Sequence, residues 1–191
     1  VGGAATVAEG GEDELGDVRT ALGWAWPTEE IRARNPVWDT WVVLAVRRVE
    51  RGRLAEQRTW LRGAATDDTA LLLDFAVGEA LPVPQTVGSS VEGALAYYPG
   101  APPRRALFVD PLVSAGRSDY PVGGSITDAA EQIIGHRSTN PLARRTPVLL
   151  EDLRIGTATV SDSSGRALPM RTANRRLALA VSGGRPVRCF G

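Results

Sequence analysis

The chain is 191 residues long, 43% hydrophobic and 23% charged, with 22 basic residues set against 22 acidic ones. That length suits one generous domain or two small lobes with a real core, and the even charge argues against a dedicated nucleic-acid domain, which usually carries a basic excess. Every basic residue is arginine, which excludes Schiff-base chemistry and the lysine of a phosphate-binding P-loop. Cys189 and His136 are each alone of their kind, so there is no intrachain disulfide and no four-ligand Cys/His zinc site. No apolar run approaches the ~20 residues needed to cross a bilayer, and no charged-then-apolar leader opens the chain. A cytoplasmic protein with no membrane partner is expected, and a chain that opens on Val1 reads as a piece of something longer.

Residues 1–16, VGGAATVAEGGEDELG, are small, glycine-rich and acidic and read as a flexible leader. A β-rich lobe is expected over 17–122, beginning with Trp24, Trp26, Trp38 and Trp41, a group expected to pack into the core. Between them, PTEEIRAR reads as a short helix with Thr28 as cap, Glu29 and Glu30 in its first turn, and Asn35-Pro36 as its end. From Trp41 onward, WVVLAV, LAEQRTWLRG, TALLLDFAV, SVEGALAYY and RRALFVD read as strands separated by Gly, Pro and Asp turns. In TALLLDFAV, twofold alternation puts Leu71, Leu73, Phe75 and Val77 on one face and Asp74 on the other.

One amphipathic helix is expected over about 125–134, capped by Ser125 and stopped by Gly135. Its stripe is Ile126, Ala129, Ala130, Ile133 and Ile134. It introduces a second segment, 123–191, expected to pack on the first lobe. A strand at VLLEDLRIG and two hairpins, turning at Ser163–Gly165 and at Gly183-Gly184, complete that segment. The fold class that follows is α+β and β-rich: an antiparallel meander curled into a partly closed, barrel-like sheet, with one clear helix and C-terminal hairpins.

Chemistry is sparse. A nucleophile needs a base, and His136 alone is on offer, just past a helix end where a histidine stabilises the dipole or faces water. No G-x-S-x-G elbow occurs, and Cys189 reads as a small buried residue on a terminal strand. No catalytic or metal-ligating residue stands out, and no cofactor is expected. Asp74 and Asp110 are candidates for a dispersed carboxylate pair; Asp74 opposite a strand arginine such as Arg105 would equally be an ordinary cross-strand pair. Gly123, Gly124 and Ser125 form the candidate anion site, two glycines and a capping serine at a helix start, against the plainer reading of a capped helix. Arginines stand in four adjacent pairs, at 47–48, 104–105, 144–145 and 175–176. Arg104 and Arg105, interleaved with Tyr97 and Tyr98, are the candidate binding surface for single-stranded nucleic acid. The plainer reading is charge protecting a sheet edge.

The run from Trp60 to Val109, containing LLLDFAV, VGSSVEGALAYYPG and PRRAL, resembles the region C-terminal to the zinc finger in bacterial SWIM zinc-finger proteins. LGWAWP upstream and SGGRPVRCFG at the end are similar to other parts of that region, so the resemblance covers most of Leu22 to Gly191. The family's C-x-C…C-x-H motif is absent from this chain, and the resemblance therefore implies zinc only in a finger missing from it. With no nucleophile–base pair, metal set or cofactor loop in the sequence, the leading expectation is a non-catalytic accessory or binding module of a larger protein, with a protein or a nucleic acid as partner. Two alternatives stand beside that reading: a single-stranded nucleic-acid-binding module using the arginine pairs and aromatics, and a hydrolase with dispersed carboxylates.

Overall fold

The computed structural model describes residues 3–117, 119–142, 146–171 and 175–191, with side chains from Gly11 onward; the arginine pair at 144–145 lies outside them. The chain divides into two compact units, Val1–Pro121 and Val122–Gly191.

The first unit opens with helix α1 (Gly3–Ala21) and the single-turn helix α2 (Thr28–Arg32). Six strands follow: β1 (Val37–Arg51), β2 (Leu54–Gly63), β3 (Thr69–Val77), β4 (Ser89–Tyr97), β5 (Arg104–Phe108) and β6 (Val113–Arg117). Five of them close into a barrel in the order β1-β2-β3-β5-β4, with β4 pairing back onto β1, and β6 continues along β4 beyond the end of β5. Every pairing in this sheet is antiparallel except β3–β5.

The barrel is filled by Trp41, Val43, Leu61, Ala70, Val91, Leu95, Tyr97 and Ala106. Trp41 donates its indole N–H to the Gly93 carbonyl at 2.9 Å, which satisfies the one polar group that this large side chain carries into the core. A second, outer core joins Ile31 of α2 to Ala96, Tyr98, Leu107 and Val109. Asp39, at the start of β1, closes the β2–β3 turn. It accepts from the N–H of Thr40 (2.7 Å) and of Thr66 (2.9 Å), from the Thr66 hydroxyl (2.7 Å) and from Ala65 N–H (3.1 Å).

The tryptophans do not share one fate. Trp41 is in the core and Trp26 is half-buried under Arg19, whereas Trp24 and Trp38 are each 65% exposed. The segment read as a flexible leader, residues 1–16, is helical from Gly3, within α1. Asp13 and Asp17 of α1 accept from the N–H groups of Gly100 and Ala101 at 3.0 and 3.1 Å, and Glu12 pairs with Arg34 at 2.5 Å. Gly16 lies against Pro99 so closely that a Cβ would sit 2.4 Å from its carbonyl oxygen. Here glycine serves close approach and not looseness. Thr28 opens α2 without capping it; Pro27 holds the N-cap position with no side-chain bond.

The second unit starts with α3 (Ile126–Thr139), then β7 (Leu149–Ile155), β8 (Thr159–Ser161), β9 (Ala167–Pro169), α4 (Arg175–Ser182) and β10 (Val187–Phe190). Its sheet runs β10-β7-β8-β9, and Ile126, Ala129, Leu150 and Leu153 form its core. The expected hairpin around Gly183-Gly184 is α4 followed by one strand. Leucine, alanine and arginine are strong helix formers, and Gly183 and Gly184, at φ +58° and +74°, end the helix in the left-handed conformation. α3 runs through Gly135 to Thr139, because one glycine weakens a helix without stopping it; Asn140-Pro141 does the stopping.

Candidate functional site

At the start of α3, Gly123 N–H donates to Glu151 (2.8 Å), Gly124 N–H to the Leu149 carbonyl (2.9 Å), Ser125 N–H to Asp128 (2.8 Å) and Ile126 N–H to Asp162 (3.1 Å). The Ser125–Asp128 capping box is complete. Every N–H offered to an anion is thus taken by the chain's own acceptors, three of them carboxylates, and the anion site read from Gly123, Gly124 and Ser125 is corrected to a capped helix start. Hydrogen bonds from Arg188 and Gly123 hold Glu151 below the usual glutamate pKa, and those of Ser164, Ile126 and Arg166 outweigh desolvation to lower Asp162.

Arg104, Arg105, Tyr97 and Tyr98 do come together, as two stacks. The Arg104 guanidinium lies 4.6 Å from the centre of the Tyr97 ring and that of Arg105 lies 4.4 Å from Tyr98. Both tyrosines are buried, with one face already covered by an arginine, so they offer no open platform to a base. Nor are these arginines a sheet edge, since β5 has β3 on one side and β4 on the other. Burial, reinforced by the charge of Asp68, raises the Tyr97 phenol far above its usual pKa.

His136 belongs to the last turn of α3 and its Nδ1 lies 2.8 Å from the Thr146 hydroxyl. Cys189 is half-buried on β10, where desolvation raises its thiol pKa and so opposes thiolate chemistry. Among the described residues no three His, Cys, Asp or Glu side chains converge on a possible metal position.

Two features of the barrel remain. The first is the outer face of β1–β2–β3. Strand register sets Arg47 opposite Arg58, itself opposite Leu73; Trp60 opposite Leu71; Glu56 opposite Phe75; and Leu54 opposite Val77. Phe75 is 52% and Val77 65% exposed. The stripe of Leu71, Leu73, Phe75 and Val77 is therefore the outside of the barrel, and the smaller side chains Ala70 and Ala76 are the buried ones. Arg58 pairs with Glu56 at 2.5 Å, while Arg47 makes no ion pair among the described residues. Between Arg47 and Arg58 the β1–β2 hairpin carries five arginines against Glu50 and Glu56, a local basic excess hidden by the even total.

The second is a cleft of about 460 Å³. β3 and β5 are joined through three residue pairs only, Ala70–Arg104, Leu71–Arg105 and Leu72–Ala106. Beyond them the seam opens, and the cleft lies between Leu72–Asp74 on one side and Ala106–Phe108 on the other, with Gln57 and Thr59 of β2 lining it from the barrel interior. A polar ladder crosses three strands here. Arg48 donates to Gln57 at 2.6 Å, and Gln57 lies opposite Asp74, its register partner on β3. Desolvation raises the Asp74 pKa, partly offset by the Gln57 bond and the charge of Arg105. Asp110 lines the same cleft from an exposed position. Gln57 and Thr59 were missed in the sequence, where a polar residue on alternate strand positions signals the solvent side.

Comparison of the chain with protein-family models, with curated proteins and with solved structures finds no match in any of the three.

Proposed function

We propose that the chain is a non-catalytic binding module of a larger protein, and that its barrel takes single-stranded nucleic acid across the outer face of β2 and β3. The observation that carries this reading is the row in which Arg47 lies directly opposite Arg58 on a face shared with Trp60 and the exposed Phe75. Like charges placed opposite one another repel, and a phosphate between them removes the repulsion while an aromatic neighbour stacks a base.

The strand order supports the same reading. A five-stranded barrel closed in the order 1-2-3-5-4, with its third and fifth strands parallel, has the arrangement of OB-type barrels. Those barrels bind oligonucleotides and oligosaccharides on the faces of strands 2 and 3 and on the loops joining strands 1–2 and 4–5. In this chain the first of those loops is flanked by Arg51 and Arg53. Hydrolysis at the cleft is the weaker reading, because Asp110, the other carboxylate that lines it, stands exposed.

Fluorescence anisotropy with a labelled oligothymidine tests the proposal. With three phosphates engaged, affinity falls about 20-fold between about 50 and 200 mM salt. Removing the ring in Phe75→Ala costs about 10-fold at fixed salt. Absent binding, or binding indifferent to salt, overturns the reading.

A further inference from the structure

We propose that the β4–β5 loop is a phosphate-binding loop and that helix α1 closes it, with Asp13 and Asp17 standing where phosphate oxygens would sit. Only the carrier of that phosphate, a nucleic acid, rests on the reading above.

The loop spans residues 98–103, YPGAPP. The N–H groups of Gly100 and Ala101 both face α1, donating to Asp13 at 3.0 Å and to Asp17 at 3.1 Å. Successive backbone N–H groups in a turn form a concavity that holds anions. Here two carboxylates from residues 84 and 87 positions upstream fill it. Glycine is needed at the first position, because its φ is +147° and a Cβ would lie 2.7 Å from Asp17. The loop joining strands 4 and 5 is one of two by which barrels of this strand order bind oligonucleotides. In this protein it is covered, and Pro99 and Gly100 are buried.

α1 is attached by charge and not by apolar packing. Its barrel side presents the two aspartates and Gly16, which lies against Pro99. Its apolar stripe faces water: Leu15 is 71%, Val18 47% and Leu22 59% exposed. Among the described residues none from α1 joins the inner or the outer core of the barrel. A helix that leaves its stripe in water is held by bonds that a competing anion can replace one for one. The acceptors at the start of α3 differ, since Asp128 belongs to that helix and Glu151 to β7, which shares its core. α1 also carries five acidic residues against one arginine, so while in place it repels an approaching oligonucleotide.

Fluorescence anisotropy with oligothymidine at one salt concentration compares the wild type with two full-length variants. Asp13→Asn combined with Asp17→Asn removes the competing charges. Gly16→Ala keeps every charge and pushes α1 off the loop, because its Cβ would meet the Pro99 carbonyl oxygen at 2.4 Å. Each is expected to bind about 10-fold more tightly than the wild type, as release of α1 makes the loop available. Wild-type affinity in both variants overturns the closed loop and leaves the outer face standing. Tightening in the aspartate variant alone is a bulk charge effect and overturns it too.

Hydrogen exchange of the wild type needs no variant. Saturating oligothymidine is expected to speed exchange over residues 11–21 about 10-fold as α1 is displaced, and unchanged or slower exchange there overturns the proposal. If the wild type leaves oligothymidine unbound, the outer face is lost and inorganic phosphate decides the loop. Faster exchange over residues 11–21 in phosphate than in chloride of equal ionic strength keeps the site for a smaller phosphate ligand, and equal exchange removes it.

Discussion

Asp39 ties the β2–β3 turn to the start of β1 through four donors supplied by three residues, while its own side chain is almost wholly buried. Burial alone would raise its pKa, but the bonds from Thr66, Ala65 and Thr40 outweigh it and leave the carboxyl below the ordinary aspartate value. The native state thus binds this proton less readily than the unfolded chain. The resulting stability is complete above the unfolded pKa of 3.8 and is lost as pH falls through the lower folded value. Asp39→Asn is expected to cost about 2–3 kcal/mol at neutral pH and to flatten the acid limb of a denaturation series recorded below about pH 5. Gly63 guards the same turn, because a Cβ there would lie 2.2 Å from the Thr66 hydroxyl and 2.4 Å from the Asp39 carboxylate. Gly63→Ala should lower stability by about 1–3 kcal/mol, read as an earlier urea midpoint with an unchanged slope. Nothing in the local string RGAATDD announces this turn's dependence on a residue 24 positions upstream.

Helix α1 hangs on a small number of named contacts, and these set how firmly it is held. Asp13→Asn combined with Asp17→Asn removes the charge from both bonds to Gly100 and Ala101, and hydrogen exchange over residues 11–21 should accelerate about 10-fold or more. Exchange in β1–β5 should stay as it was. Ser125→Ala, by contrast, removes the cap of α3 and should cost about 1 kcal/mol, seen as a lower melting temperature.

These two helices also show what sequence can and cannot reveal. The cap, the apolar residues and the acidic first turn of α3 are local, and they are readable from GGSITDAA alone. The anchoring of α1 is tertiary, and a glycine-rich acidic string reads as loose until Pro99 is seen against Gly16. In α4, RRLALAVS satisfies twofold and 3.6-fold periods about equally well, so alternation misleads and intrinsic propensity wins. In β3 the alternation is genuine but does not say which face turns inward; the interior of a five-stranded barrel has room for Ala70 and Ala76 and not for a row of leucines. The face with Asp74 is the inward one, which leaves that carboxylate half-buried beside the cleft.

Charge is uneven between the two units. Residues 1–121 carry twelve arginines against seventeen acidic residues, and residues 122–191 carry ten against five. The even total that argues against a nucleic-acid role is thus a sum of opposite excesses, and the acidic one is concentrated in α1. All five tryptophans belong to the first unit, so tryptophan fluorescence follows that unit alone. If the two compact units unfold independently, fluorescence and far-ultraviolet circular dichroism should give transitions that do not coincide in denaturant. Coincident transitions would show one cooperative body.

The order in which the barrel's strands pair bears on how the chain reaches this state. β1–β2 and β2–β3 are neighbours joined by short turns, and such hairpins form within about microseconds. The β1–β4 and β3–β5 contacts join residues about 50 and 34 positions apart, so ring closure waits on long-range encounters and sets the folding rate. Until it happens, β1 and β3 are raw edges flanking a three-stranded ribbon, and at high concentration that ribbon will find another copy of itself before it finds its own β4 and β5. Refolding yield should therefore fall with protein concentration even where the finished barrel is stable.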